Sequence, residues 1–491
     1  MTTRPNILLF VSDQQQWRTI CGRSPARSPN INRLAAEGMR FERPYATVAL
    51  CCPSRATLIS GQFPWHNGIF NQVHVPERMR GDMVPDVQTY SQKLRDAGYR
   101  LGYVGKWHAS WERTPLDFGF HDLRAPSGCN PETLARIGMA EEPTPRHAAV
   151  DIECEVTWPG DTPHLFYGID HTPEEETRPH IETSHGIDLI ERYAAQGSPW
   201  FVTINVVEPH DPYTPLAEYA AHYDRTDVQL PDSWHDDFAN KPYMNQRDAS
   251  LWAALSEEQV RTAIARYWAY CEQVDTQIGR VLDALDATRQ VDNTLVVFTS
   301  DHGDMCGAHR QFIKGWQPYE ETYRVPLVMR WPGVIPAGSV CHHLVQLHDL
   351  AHTFVDVGSG EPITPMDGRS LRPLFADPQR TDWEDIAFCQ YYGGEFLYTQ
   401  RMVITERFKY VFNGFDRDEL YDLATDPHEM VNVIDDPAYR DPCDTMRALL
   451  YVQMERHGDP YAQNRYGAPR YLPRPSGPVA AATGNKGAHD A

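Results

Sequence analysis

Leu50-Cys51-Cys52-Pro53-Ser54-Arg55-Ala56-Thr57-Leu58-Ile59-Ser60-Gly61 reads as a tight loop running into a helix. Pro53 suits a first helical position, and Gly61 suits the residue just past the end. A side chain at such an N-terminus sits among free backbone N–H groups and the positive end of the dipole, which favour anions. Arg55 adds a fork of donors for a tetrahedral oxyanion. The plainer reading is a buried cysteine ahead of an ordinary helix.

Outward from this stretch, four continuous apolar runs have strand length, as expected for parallel strands covered on both faces. Asn6 to Ser12 ends in Asp13-Gln14. Tyr99 to Val104 leads into Gly105-Lys106-Trp107-His108. Pro199 to Val207 delivers Glu208-Pro209-His210-Asp211-Pro212-Tyr213. Thr294 to Ser300 ends in Asp301-His302-Gly303-Asp304, with His309 and Lys314 further on. In open α/β sheets ligands collect beyond the carboxyl ends of strands. Asp13 is therefore placed to bind a metal, and Asp301-His302 is a second candidate pair. Taken singly, Asp13 reads equally as a cap, Lys106 as a surface lysine and His210 as a loop histidine.

The remaining pattern fills in an α/β chain. Pro29 to Gly38 and Val87 to Ala97 read as short helices closed by glycine. Ser256 and Gln259 form a capping box for a long amphipathic helix, on which Val260, Ile264, Tyr267, Cys271, Val274, Ile278, Val281 and Leu285 recur at helical spacing. That helix carries no evident chemistry. Val325 to Trp331 predicts a further strand. Residues 1–376 are expected to form one main α/β domain, the one that would carry any catalysis, with insertions at about 109–198 and 214–255, the first Pro-rich and expected over the strand ends. Met402 to Phe412 and Glu419 to Leu423 predict a small antiparallel sheet in a C-terminal subdomain, 377–470. Residues 471–491 are rich in Pro, Ala and Gly and read as an arm or disordered tail.

The chain has 491 residues, with 45 Lys and Arg against 67 Asp and Glu, a formal charge of −22. That argues against nucleic acid or an anionic membrane as partner. Any anion site must be a local positive pocket. The ten cysteines are scattered and no CxxC pair occurs, so a zinc ribbon is not expected. Ile7 to Val11 is too short an apolar run for a signal peptide or anchor, so the chain is expected to be cytoplasmic with mostly reduced thiols.

Cys51-x-Pro53-Ser54-Arg55 followed by Ser60-Gly61 resembles the signature of the type I sulfatases. Gly105-Lys106-Trp107-His108 resembles that family's second signature, and Pro209-His210-x-Pro212-Tyr213 its third element. The string from Glu419 to Glu429 resembles its small C-terminal domain. The resemblance implies an alkaline phosphatase-like fold: a large mixed, mostly parallel sheet between helices, with a small C-terminal antiparallel sheet. It implies that a maturation enzyme oxidises Cys51 to formylglycine, an aldehyde whose hydrate is the nucleophile, and that Cys52 is only the variable position. The implied metal shell is Asp13, Gln14, Asp301 and His302, completed by the residue 51 side chain. Lys106 and Lys314 would hold the sulfuryl oxygens, His108 would bond the hydrate and take its second proton, and His210 would serve the leaving group. Many sulfatases carry two aspartates and an aspartate-asparagine pair at the metal. Asp-Gln and Asp-His resemble instead the branch with bacterial phosphonate monoester hydrolases and dimeric arylsulfatases. Calcium is the family's metal; the imidazole makes manganese a close second. Animal members are usually secretory or lysosomal, whereas this chain reads as bacterial in style.

The expected activity is hydrolysis of an aryl or small alkyl sulfate. The alternative is a phosphonate monoester or phosphodiester hydrolase with the same nucleophile, since both transition states spread negative charge over tetrahedral oxygens. That group carries tyrosine and threonine where this chain has Lys106 and His108, which favours sulfate. A different class, an anion-binding protein keeping an unmodified thiol at position 51, is distinguished by mass spectrometry of the Cys51 peptide. The natural alcohol and a homo-oligomeric state are left open.

Overall fold

β1 (Asn6–Ser12) is apolar at every position from Ile7 to Val11, and it runs through the middle of a sheet. The computed structural model describes residues 4–141, 149–158, 160–358, 361–394, 396–463 and 472. In chain order the strands that follow are β2 (Met39–Tyr45), β3 (Arg100–Lys106), β4 (Asp122–Ser127), β5 (Val150–Val156), β6 (His164–Asp170), β7 (Trp200–Asn205), β8 (Thr294–Ser300), β9 (Leu327–Arg330) and β10 (Ser339–Gln346). Eight of them form one sheet in the order β10-β2-β9-β8-β1-β7-β3-β4. All neighbours are parallel except at β9, which is antiparallel to both β2 and β8.

The alternation of a strand explains the two-sided core. Ile7, Leu9 and Val11 join a cluster under the helices Tyr90–Asp96 and His348–Gly358. Leu8 and Phe10 join a second cluster under Pro29–Glu37, Arg178–Ala194 and the long helix Glu257–Thr288. The long helix starts with the reciprocal Ser256–Gln259 capping box. Part of the stretch expected as an insertion, 109–198, is integral to this body: β4 is an edge of the sheet and Arg178–Ala194 covers one face. The weak periodicity hid that helix because Pro179 and Gly186 interrupt its apolar stripe. β5 and β6 form a separate antiparallel hairpin.

A second sheet, β11 (Ala387–Tyr391), β12 (Gln400–Ile404), β13 (Phe408–Asn413) and β14 (Glu419–Asp422), is an antiparallel meander. The helix Arg440–Arg456 packs Met446, Leu450 and Met454 against its Val403, Tyr410 and Leu420. The tail read at 471–491 lies outside the described residues except for Leu472. No helix among the described residues is long and apolar enough to cross a membrane.

Candidate active site

Strand register assembles the centre. β1 and β8 pair in register as far as Ser12 opposite Ser300, so Asp13 and Asp301 leave the sheet side by side. Asp301 N donates to Ser12 O (3.3 Å) and Gln14 N to Asp301 Oδ1 (3.1 Å), which fixes both loops. On the other side, β3 approaches β7 so closely at Gly105 that a Cβ there would lie 2.1 Å from Asn205 O. Only glycine fits, and Lys106 follows at the same edge. Gly303 has the same role beside Glu321 O. Gln14 (φ 68°) and His108 (φ 54°) hold left-handed backbone, a conformation that non-glycine residues adopt where surroundings enforce it.

The helix Cys51–Ser60 is buried at all ten positions and docks end-on, with Ser54 Oγ donating to Asp301 O (2.6 Å). It starts at Cys51 itself, so Pro53 is its third residue. Proline is tolerated there because first-turn N–H groups lack helical partners. Gly61 takes the left-handed cap (φ 67°). Asp13, Cys51, Asp301 and His302 each offer a donor atom within 4.8 Å of the others, and all are buried. His302 Nδ1 donates to Gly303 O (2.9 Å), which turns Nε2 toward Cys51 Sγ at 3.2 Å. This is the orientation a ligating imidazole requires. Burial opposes charge on His302, yet Asp301 and the Cys51 thiolate push it up to about 9. Asp13 is held well below the usual carboxylate range: burial and Cys51 oppose this, and Lys106 and Arg55 outweigh them. Burial and the Asp13 charge push Asp301 up. Two carboxylates, a thiolate and an imidazole at this spacing fit a divalent cation, which would relieve that mutual repulsion.

The Arg55 fork is bonded to protein groups and does not line the cavity described below. Its Nε donates to Asp301 Oδ2 (2.8 Å), Nη2 to Asp13 Oδ2 (3.0 Å) and Nη1 to Lys106 O (3.1 Å). It is a positioning residue that bridges the two carboxylates. The expectation of an oxyanion fork is corrected here, because adjacent carboxylates need a cation more than an open cavity does.

Cys51, Lys106, His108, His210 and Lys314 line a cavity of about 550 Å³. Burial raises a thiol's pKa, but Lys106, Lys314 and His302 hold Cys51 well below the ordinary value. Lys106 Nζ lies 2.5 Å from Asp13 Oδ2. His210 Nδ1 faces Asp211 O (2.7 Å) and so carries the proton, leaving Nε2 to accept from Lys314 Nζ (2.5 Å). Lys314 is pushed up against its burial by Cys51 and Asp211. Burial and Lys106 push His108 down to about 3, so it is neutral.

Gln14 stands at the edge of the cluster. Its Oε1 accepts from Lys314 Nζ (2.5 Å), and its Nε2 donates to Asp211 (3.1 Å) and Asp304 (2.5 Å). One lone pair of Oε1 is left for a cation. Asp304, pushed up to about 6 by burial, accepts from Gln14 and from Tyr213 OH (2.7 Å). His309 is away from the cavity: it is buried, bonded to Asp236 Oδ2 (2.6 Å) and stacked on Tyr319. Sequence reasoning missed His74, which stacks on His108, and the part of the long helix. Tyr267 OH donates to Gln14 O (2.7 Å) and accepts from Gln16 N (2.8 Å), while Tyr270 and Gln273 line the cavity. Core-like spacing masked Tyr267, and nothing local marked His74.

Fold and site together put the protein in the alkaline phosphatase superfamily. Residues 5–360 match the family model described as Sulfatase, and residues 307–456 match N-sulphoglucosamine sulphohydrolase, C-terminal. The chain belongs to the sulfatase family and is a sulfatase enzyme. The uncharacterized sulfatase YidJ of Escherichia coli K12 is 30% identical over 472 residues, covering 93% of this chain and 88% of that protein. The choline-sulfatase of Rhizobium meliloti is 28% identical over 489 residues, covering 92% and 87%. The solved phosphonate monoester hydrolase SpPMH of Silicibacter pomeroyi superposes with a TM-score of 0.75 at 25% identity, covering 92% of this chain and 95% of its own.

Proposed function

We propose that the protein hydrolyses sulfate monoesters of an aryl or small alkyl alcohol, with formylglycine made from Cys51 and one divalent cation. The observation that carries this reading is Cys51 on the cavity wall, within 4.8 Å of the Asp13, Asp301 and His302 donors, with two lysines and three histidines lining the same cavity. Asp13, Asp301, His302 and the residue 51 side chain would hold the cation, with Gln14 at the edge. When bound, it supplies Lewis-acid charge for the sulfuryl oxygens and acidifies a hydroxyl beside it. Calcium is the first choice by family and manganese the second by its tolerance of imidazole. The aldehyde hydrate of residue 51 supplies the nucleophile and a second hydroxyl, which a serine would lack.

The chain's own groups divide the rest. Lys106 and Lys314 orient the sulfuryl oxygens and neutralise charge in a loose transition state, where positioning and electrostatics carry most of the catalysis. The proton for the leaving oxygen is held between Lys314 Nζ and His210 Nε2. His108, neutral and bonded to residue 51, accepts the proton whose loss releases sulfate. Negative charge on the bound ester raises its basicity.

The phosphonate monoester reading is kept because of the similarity to SpPMH. Lys106 and His108 weigh toward sulfate. Two measurements test the proposal: the mass of the Cys51 peptide from protein made with its maturation enzyme, and kcat/KM on matched aryl sulfate, phosphonate and phosphodiester esters. An aldehyde or its hydrate at residue 51 and a preference for sulfate are expected. An intact thiol without turnover, full activity in Cys51→Ala, or faster phosphonate cleavage would overturn it.

A further inference from the structure

Cys52 is not explained by the chemistry above. It is fully buried, and its Sγ accepts from Val73 N (3.5 Å), so the loop through His74 folds over the first turn of the helix Cys51–Ser60. Cys52, His74 and His108 each offer a donor atom within 4.8 Å of the others. The His74 and His108 rings lie nearly parallel, 11° apart in plane with centroids at 4.7 Å. His108 Nδ1 is buried with no hydrogen-bond partner. Both imidazoles line the cavity, so a solvated ion has a route to them, with the thiol behind.

We infer that Cys52, His74 and His108 form a second metal site, selective for zinc-like thiophilic cations, whose occupancy inhibits the enzyme. One sulfur and two imidazole nitrogens are the donor set of zinc, whereas the neighbouring carboxylate cluster suits harder cations. Bonds of about 2.0–2.3 Å to each donor draw the three side chains inward by about an ångström. Binding forms one Zn–S and two Zn–N bonds, and the Cys52 thiol releases its proton to solvent. The N–H from Val73 supports the resulting thiolate, as outer partners do for metal-bound sulfur. Capture of His108 removes the base that releases sulfate, so the inhibitory consequence rests on the proposed function while the binding site itself does not.

The test uses matured protein saturated with the calcium or manganese that supports its activity. Cobalt(II), as the spectroscopic stand-in, is titrated and the near-ultraviolet thiolate-to-cobalt band is read. Zinc is then titrated against 4-nitrophenyl sulfate hydrolysis, each variant being compared with its own zinc-free rate. One equivalent of cobalt should give the band in the parent protein and none in Cys52→Ser. The half-inhibitory zinc concentration should rise by about tenfold or more in Cys52→Ser and in His74→Asn. The half-exposed position of His74 keeps the second variant informative should the first fold poorly. No thiolate band in the parent, or zinc inhibition unchanged in both variants, would overturn the site and point to displacement of the other cation. Should the matured protein lack sulfatase activity, the proposed function fails, and the cobalt band of Cys51→Ala still reads the site alone.

Discussion

Residue 51 and its neighbours divide into groups that meet the ester and groups that hold them. Cys51→Ser should abolish turnover and retain one sulfate on the peptide spanning residues 50–61 after incubation with an aryl sulfate, because a serine ester has no second hydroxyl to expel it. Mass spectrometry reads this directly, and an unlabelled, fully active variant would contradict the assignment. Lys314 Nζ donates to His210 Nε2 over 2.5 Å. Lys314→Met should therefore cost ~10²–10⁴-fold on alkyl sulfates, whose alcohols need that proton, and far less on 4-nitrophenyl sulfate. Rates across leaving groups of graded pKa check this; equal losses on all of them would place Lys314 outside proton transfer. At this scale Asp13, Lys106, Asp301 and His302 were legible because each stands one or two residues past the end of an apolar run. The use of Arg55 was not, because which anion a guanidinium meets depends on chain far away in sequence.

The long helix Glu257–Thr288 shows what periodicity reveals and hides. Its apolar stripe marked it as packing on the sheet, and it does. The same stripe carries Tyr267, whose hydroxyl anchors the Asp13-Gln14 loop through Gln14 O and Gln16 N. Tyr267→Phe should cost about 1–3 kcal/mol by leaving buried amide groups unpaired, and should lower kcat as the loop loosens. Urea denaturation beside steady-state kinetics separates the two effects. Two turns further on, Asp275 accepts from Asn30 N (2.9 Å) and Ile31 N (2.8 Å), capping the helix Pro29–Glu37 from outside. Burial pushes Asp275 up to about 6 from an ordinary 3.8. The folded state then binds the extra proton, so this contribution is full below the unfolded pKa and lost as pH rises through about 6. Relative to Asp275→Asn, parent stability should fall between pH 4 and 6 by up to about 1.4 kcal/mol per unit. A flat difference across that range would refute it.

Across the whole molecule, the C-terminal sheet is part of the site's scaffold. Lys409 on β13 is fully buried and bonds Pro318 O (3.0 Å), with Glu320 Oε1 at 2.9 Å and Glu429 Oε1 at 2.6 Å. Gln400 Nε2 on β12 donates to Trp316 O (3.1 Å). Both hold the segment that follows Lys314. Lys409→Met removes the buried cation between Glu320 and Glu429, leaving Glu320 only Arg324 at 3.4 Å, and should cost ~3–5 kcal/mol. It should also raise KM for sulfate esters as Lys314 loses its support. Thermal unfolding and KM measured on the same preparation test this; destabilisation without a change in KM would confine Lys409 to stability.

The sequence by itself determined the class of fold, the four site-bearing strands and the residues at their ends. Apolar runs, turn residues and local motifs report what happens within a few residues along the chain. Tertiary structure decided the rest: the pairing of Ser12 with Ser300 that sets two aspartates side by side, and the turning of Arg55 onto them. It also set His74 over His108 and reached across from a second sheet to hold the lysine loop. Those depend on register and crossover, where groups hundreds of residues apart meet, and a linear pattern carries no distance between them.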